Sequence, residues 1–322
     1  MTDLLVKNCL LSKNKDPQDI LIKGGIIRDI ASKITADNIP IIDADFHFVT
    51  PPFVDSHFHM DATLSYGLPR VNKSGTLLEG IKLWGELKPN LTADAIKERA
   101  LKFCKWAIAR GTLAIRSHVD VSEQNLVGVE ALLDVRETMK DFIDIQLVAF
   151  PQDGLLRANC LDNLNTALDM GVDVVGGIPH FERTMEDGHD SIRILCEIAE
   201  KRGLLTDLHC DETDDPMSRH VEKLALETTR LGLKGRVAGS HLTSMHSIDN
   251  YYFTKLISLL VEADLNIIAN PLINITIQGR QDNYPKRRGL TRIPEQLNAG
   301  LKVAFGHDCV MDPWYPLGSH DM

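Results

Sequence analysis

Two short apolar runs, Leu204-Leu-Thr-Asp-Leu-His209 and Arg236-Val-Ala-Gly-Ser-His241, each end in a histidine. They begin about 30 residues apart, which is the length of one strand, helix and two loops. Six further runs of this kind are Phe53–His57, Thr112–Arg116, Ile143–Phe150, Val172–Gly176, Leu265–Asn270 and Leu301–Gly306. Amphipathic segments with helical periodicity, such as residues 93–110 and 190–202, lie between runs. Eight such units predict an α/β fold, a (β/α)8 TIM barrel.

The two ends of the chain differ from this pattern. Residues 1–50 contain β-rich runs at 4–11, 19–27 and 39–48, which predict a small N-terminal β domain ahead of a catalytic barrel at 51–322. The first loop of the barrel is expected to be extended through Gly75, Thr76 and Leu77. Only residues 309–322 follow the eighth run and its polar end, too few for a loop and a closing helix, so the eighth helix is expected to be absent from this chain.

Composition excludes several classes of function. The 322 residues are 43% apolar and 25% charged, which suits one large core, and the net charge of −10 argues against nucleic acid as a partner. Without a signal-like start or a long apolar run, a cytoplasmic protein with no membrane partner is expected. The six cysteines form no CxxC pair and are expected to be reduced.

Polar residues, many of them histidines, end the predicted strands. In a parallel barrel these ends meet at one face, where catalytic groups converge. His57 and His59 alternate with Phe58, so both imidazoles are expected on one side of the strand, with a spacing typical of metal ligands. The other strand ends carry His118, Gln152, His209 with Glu212, His241, Asn270, and Asp308. This pattern predicts a metal site at the rim.

The chain resembles the amidohydrolase superfamily and, more closely, its cytosine deaminase branch. The segments that carry the resemblance are 52–61 (PFVDSHFHMD), 74–80 (SGTLLEG), 148–152 (VAFPQ), 209–215 (HCDETDD), 240–241 (SH), 269–274 (ANPLIN), 284–289 (YPKRRG), 305–308 (FGHD) and 312–318 (DPWYPLG). The match spans nearly the whole chain, and it implies that the chain is truncated at its C-terminal end relative to the family.

The resemblance implies one divalent metal ion, iron or zinc, held by His57, His59, His209 and Asp308. Three imidazoles and a carboxylate suit either metal. Superfamily members with two metals usually place a bridging lysine at the end of the fourth strand, where this chain has Gly-Gly-Ile-Pro-His at 176–180. A single metal is therefore expected.

The resemblance also implies a reaction, the hydrolytic deamination of a free cytosine-type base. A metal-activated hydroxide would attack the amino-bearing ring carbon, and ammonia would leave. Glu212 would carry protons to the ring, Asp308 would accept the proton of the water, and His241 would stabilise the tetrahedral intermediate. Gln152 would read the carbonyl and N–H edge of the pyrimidine, while Leu77 and Trp314 would cover the ring.

One position departs from the family. The metal-binding aspartate is commonly followed by a second aspartate, but here the pair is Asp308-Cys309. If the second side chain faces C5 of the ring, the smaller thiol leaves space for a methyl group or fluorine, which favours 5-substituted cytosines such as 5-methylcytosine. Cys309 equally fits a purely structural role.

Other functions stay open from the sequence alone. The same chemistry would serve another nitrogen heterocycle, such as isoguanine, a triazine or a cyclic amide, and an inactive metal-binding barrel fragment is a further alternative. The expected partner is a small nucleobase, and association into a homo-oligomer stays open. The remaining histidines are expected to be structural (His118, His180) or in surface and loop positions (His47, His189, His220, His246).

Overall fold

The N-terminal residues form a four-stranded sheet. The structure is a computed structural model that describes residues 3–14 and 16–322, and it divides into two compact units after Pro52. The strands of the first unit are β1 (Leu4–Cys9), β2 (Gln18–Lys23), β3 (Ile26–Ala31) and β4 (Ile41–Asp43), in the order β3-β2-β1-β4. The β-rich run at 19–27 covers β2 and the start of β3, because Gly24 and Gly25 adopt positive φ and turn the chain between the two strands.

The second unit is built on eight parallel strands. They are β5 (Phe53–Phe58), β6 (Thr112–Asp120), β7 (Asp144–Phe150), β8 (Val174–Gly177), β9 (Leu205–Cys210), β10 (Val237–His241), β11 (Asn266–Ala269) and β12 (Lys302–Phe305). Each strand pairs with the next along the chain, and a parallel bridge between Phe58 and Asp308 brings the first and last strands together. The predicted barrel with a small N-terminal β unit is confirmed.

Helices follow most of the barrel strands. They are α1 (Leu77–Leu87), α2 (Ala93–Ala109), α3 (Val127–Met139), α4 (Cys160–Asp169), α5 (Met185–Arg202), α6 (His220–Arg230), α7 (Asn250–Glu262), α8 (Pro271–Ile277) and α9 (Ile293–Asn298). Within the described residues no helix follows β12. None of the helices in the described part of the chain has both the length and the apolarity needed to cross a membrane.

The long first loop of the barrel contains a helix. The long loop expected from the sequence runs to Thr76, and α1 begins at Leu77, because the Thr76 side chain accepts a hydrogen bond from the backbone N–H of Glu79 and caps the helix. Helix α1 packs its apolar face into a small cluster separate from the main core. Members of that cluster include Ile81, Trp84, Leu87, Ile273, Ile277, Cys309 and Trp314. Helices α1 and α8 thereby cover the carboxyl ends of the barrel strands.

Candidate active site

Four side chains predicted as metal ligands converge at the carboxyl ends of β5, β9 and β12. The Nε2 atom of His209 lies 2.9 Å from Nε2 of His59 and 3.2 Å from Nε2 of His57. Asp308 Oδ1 lies 3.0 Å from Nε2 of His57 and 3.3 Å from Nε2 of His59. The backbone holds this arrangement, because Asp308 N–H donates to the carbonyl of His57 and His59 N–H donates to the carbonyl of Asp308.

The donor set fits a small divalent cation. Ligand atoms held 2.0–2.1 Å from a tetrahedral ion lie about 3.3 Å apart, close to the separations in this group. Burial lowers the pKa of His57, and burial with neighbouring imidazoles lowers the pKa of His209 well below its usual range. Burial opposes ionisation of Asp308, yet His241, His57 and His59 hold its pKa well below the ordinary value. Burial opposes charge on His59 as well, but the hydrogen bond and the charge of Asp308 raise its pKa. The shifts of His57, His209 and Asp308 favour the neutral imidazoles and the ionised carboxylate that metal binding requires.

His241 and Glu212 form a second part of the cluster. His241 Nδ1 lies 3.0 Å from Glu212 Oε1, and His241 Nε2 lies 3.3 Å from Nε2 of His57. The amide of Asn274 contacts both residues, at 3.2 Å from Glu212 Oε1 and 3.1 Å from His241 Nδ1. Asn270 contacts the same imidazole at 3.2 Å from its Nε2. Contacts with Glu212, Asn270 and Asn274 thus hold the His241 imidazole beside the group of candidate ligands.

A small cavity opens above these groups. The four side chains predicted to contact a substrate, those of Leu77, Gln152, Cys309 and Trp314, all line it. Its other lining residues are His59, Ile178, His209, Glu212, Ile273, Ile277 and Asp308. His57 and His241 lie behind this wall and are almost fully buried. A ligand in the cavity would meet charged groups on one side and apolar side chains on the others.

A larger cavity of the second unit lies elsewhere. It is lined largely by residues of the barrel strands, most of them in the amino-terminal halves, including Val54, Ala114 and Val237. None of the clustered histidines lines it. Because catalytic groups of such barrels gather at the carboxyl ends of the strands, the smaller cavity is the candidate active site.

A turn after β12 holds two walls of the candidate site. Asp312 Oδ1 accepts hydrogen bonds from the backbone N–H groups of Trp314 and Tyr315, each at 3.0 Å. Burial raises the pKa of Asp312 to about 7. Burial also raises the pKa of the Cys309 thiol, with the charges of Asp308 and Asp312 adding to the effect, so Cys309 is a neutral thiol. Cys309 Sγ lies 3.4 Å from Asp308 Oδ2.

Helix α1 approaches Trp314 so closely that only glycine fits at position 80. A Cβ atom built on Gly80 would lie 2.2 Å from Cδ1 of Trp314. We expect Gly80→Ala to lower the free energy of unfolding by about 1–3 kcal/mol, because the indole or the helix must move. Denaturant titration followed by tryptophan fluorescence measures the change.

Gly85 provides the matched control in the same helix. It is exposed, and a Cβ there meets nothing within 4 Å. We expect Gly85→Ala to raise the free energy of unfolding by about 0.5–1 kcal/mol, because alanine favours the helix. Equal effects of the two substitutions would contradict the close packing of α1 on Trp314.

Several residues of the site were not assigned a role from the sequence. Asn270 and Asn274 belong to the quoted NPLIN segment, and their i, i+4 spacing at the start of α8 places both amides on one side of the helix. The apolar walls Ile178, Ile273 and Ile277 carry no signal in the sequence. His118 and His180 are beside the site: the centroid of the His118 ring lies 4.1 Å from that of His57, with the two rings tilted by 38°, and His180 Nδ1 is 3.1 Å from the carbonyl of His209.

Comparisons with known proteins agree with this architecture. The model of the amidohydrolase family matches residues 40–322. The crystal structure of 5-methylcytosine deaminase from Klebsiella pneumoniae liganded with 5-fluorocytosine superposes with a TM-score of 0.95 at 42% identity, covering 98% of this chain and 77% of that one. N-isopropylammelide isopropyl amidohydrolase of Pseudomonas sp. is 29% identical over 99% of this chain and 77% of its own length. Pterin deaminase of Rhizobium rhizogenes is 30% identical over 94% of this chain and 70% of its own length.

The chain belongs to the amidohydrolase family, as its resemblance to that family implied. It is a hydrolase of carbon–nitrogen bonds other than peptide bonds, in cyclic amidines. The family is metal-dependent, and His57, His59, His209 and Asp308 form a group able to hold a metal ion.

Proposed function

We propose that this chain is a deaminase of free cytosine-type bases that uses one divalent metal ion, iron or zinc, held by His57, His59, His209 and Asp308. The observation that carries the proposal is a single cavity whose walls include three of these ligand candidates, His59, His209 and Asp308, together with Glu212 and the Gln152 amide. A divalent cation in such a site is a Lewis acid and makes water a nucleophile near neutral pH. Ile178 and His180 at the end of β8 offer no bridging lysine, which supports one ion.

Each side chain of the site is proposed to have a separate role in the reaction. Water adds to the ring carbon that bears the amino group, and ammonia leaves, so that a carbonyl replaces the amine. Asp308 accepts the proton of the attacking water. Glu212 delivers a proton to the ring nitrogen; with its Oε1 engaged by His241 and Asn274, Oε2 is the oxygen available to the substrate. His241 donates a hydrogen bond to the oxygen that develops charge.

Substrate recognition depends on the opposite walls of the cavity. The Gln152 amide offers one donor and one acceptor, which matches the adjacent carbonyl and N–H of a cytosine ring. Gln152 follows β7 and is almost fully buried, so its hydrogen bonds form away from water. Leu77 from α1 and Trp314 from the turn after β12 contact the faces of the ring.

Cys309 is proposed to face C5 of the ring and to favour a substituent there. A neutral thiol needs less space than a carboxylate and no hydration, so a methyl group fits beside it. The similar protein from Klebsiella pneumoniae is a 5-methylcytosine deaminase, which supports this substrate preference for the present chain.

Ammonia release tests the function directly. The protein loaded with Fe²⁺ or Zn²⁺ should release ammonia from cytosine and from 5-methylcytosine, and the metal-free protein should not. A panel of isoguanine, pterin, N-isopropylammelide and cyclic amides is assayed in parallel. Turnover of a panel member with none on either cytosine would overturn the proposal.

The second candidate is hydrolysis of another nitrogen heterocycle. Two proteins similar to this chain are named for N-isopropylammelide and for pterin. The same proton carriers would serve those rings, so the distinction depends on the walls of the cavity rather than on the metal ligands.

We expect Cys309→Asp to reverse the proposed preference. One buried methyl group contributes about 0.8 kcal/mol, or about fourfold. The ratio of kcat/KM for 5-methylcytosine to that for cytosine should therefore fall by at least about fourfold in the aspartate variant. Steady-state kinetics with both bases measure it.

The uncharged variant Cys309→Ser is the control. Its ratio should stay closer to that of the unmodified protein, because it adds neither volume nor charge. Indistinguishable ratios in all three proteins would show that Cys309 is only a packing residue.

A further inference from the structure

A line of buried polar side chains extends from His57 away from the cavity. His57 Nδ1 lies 3.0 Å from Ser240 Oγ, and Ser240 Oγ donates to Asp207 Oδ1 at 2.6 Å. Arg116 Nη1 donates to Asp207 Oδ2 at 3.0 Å. His57, Ser240 and Asp207 are each fully buried. Strand register builds the line, since Ser240 pairs with His209 and Ala238 with Asp207 across β9 and β10.

The positions of the protons in this line follow from its geometry. Both oxygens of Asp207 accept hydrogen bonds, one from Ser240 and one from Arg116, so the carboxylate acts only as an acceptor. The single hydroxyl proton of Ser240 is thus committed to Asp207. Ser240 Oγ must then accept from Nδ1–H of His57. This leaves the lone pair of His57 on Nε2, the atom that faces His209 and Asp308.

We propose that Ser240 and Asp207 are positioning residues that hold His57 as the Nδ1–H tautomer and thereby set the metal affinity of the site. The inference rests on the proposed metal ligands. Hydrogen bonds to the remaining nitrogen of a ligating histidine fix its ring and its tautomer, and their loss typically weakens metal binding by about 10- to 100-fold.

The residues around Asp207 have a competing interpretation as a second ion site. His57, His118 and Asp207 offer ligand atoms within 4.8 Å of one another. The guanidinium of Arg116 at 3.0 Å from Asp207 argues against a cation there, because like charges in a buried site repel strongly. Asp207 Oδ1 is also 3.9 Å from His118 Nε2 but 2.6 Å from the Ser240 hydroxyl. The hydrogen-bonded line is therefore the better interpretation.

Zinc affinity of the apoprotein tests the proposal without using turnover. Competition with a chelator should give a dissociation constant about 10- to 100-fold weaker for Ser240→Ala than for the unmodified protein. Asp207→Asn should give an intermediate loss, since an amide oxygen still accepts from Ser240. Ser191→Ala is the control, because Ser191 is equally buried but its hydroxyl donates to the Gly188 carbonyl in α5. Its affinity should be unchanged.

Imidazole ¹⁵N NMR of the apoprotein gives an independent signature. His57 should show an Nδ1–H tautomer in the unmodified protein and a mixture in Ser240→Ala. Unchanged zinc affinity in Ser240→Ala, an equal loss in Ser191→Ala, an unchanged His57 tautomer, or two bound zinc ions per chain would each overturn the proposal. If the unmodified protein binds no zinc, the proposed metal site itself is wrong, which is a different outcome.

Discussion

Glu212→Gln is expected to lower kcat by about 10²- to 10⁴-fold while the protein keeps its metal. Glutamine has nearly the same volume and can still contact His241 and Asn274, but it cannot deliver a proton to a ring nitrogen. Glu212 does not belong to the four converging ligand candidates, so their arrangement should persist. Steady-state deamination kinetics, with metal content measured on the same sample, show both effects.

Glu222→Gln is the matched control for this substitution. Glu222 lies in α6, where it accepts a hydrogen bond from the Tyr252 hydroxyl at 2.8 Å, on the outside of the barrel. Its kcat should be close to that of the unmodified protein. Retained turnover in Glu212→Gln would contradict the role of Glu212 as the proton carrier.

His209→Asn is expected to abolish both metal binding and turnover. The Nε2 atom of His209 lies within 3.2 Å of the corresponding atoms of His57 and His59, and an asparagine is too short to bring a ligand atom there. Loss of this donor leaves an incomplete ligand set, and we expect an affinity loss of at least about 100-fold, larger than for a supporting hydrogen bond.

Thermal stability provides a readout of the metal that is independent of activity. A ligand present at 100 times its dissociation constant stabilises the folded state by about 2.7 kcal/mol. Added Zn²⁺ should therefore raise the Tm of the unmodified protein but not that of His209→Asn. The control is His189→Asn, at a histidine in α5 whose ring packs 5.6 Å from that of His220. A zinc-dependent rise of Tm in His209→Asn would remove His209 from the proposed ligands.

The sequence predicted the barrel well because each strand is a short continuous apolar run. Each of the eight runs overlaps a barrel strand, and the residues at the strand ends meet at one rim, as parallel pairing requires. The four proposed ligands and the four proposed substrate contacts lie around one cavity for the same reason. Their chemical roles stay predictions until they are measured.

Features that depend on contacts between distant segments were not predictable. Thr76 caps the start of helix α1, but the position of the helix also depends on the packing of Ile81 and Trp84 in a cluster with residues distant in sequence, such as Ile273. His220, expected at the surface or in a loop, is buried because its ring and backbone N–H both bond to Asp211. The hydrogen-bonded line from His57 Nδ1 through Ser240 to Asp207 depends on the register of β9 and β10. Local sequence patterns contain no information about such register.

The turn anchored by Asp312 links two properties of the candidate site, the shape of the wall at Cys309 and the position of the Trp314 indole. One carboxyl group, that of Asp312, holds the backbone at Trp314, and the same short segment carries Cys309; both side chains line the candidate site. A change in this segment that widens one side of the pocket also shifts its lid. New ring specificities in this scaffold should therefore arise from paired substitutions within residues 309–314. A single substitution there should change both the choice of base and the affinity for it.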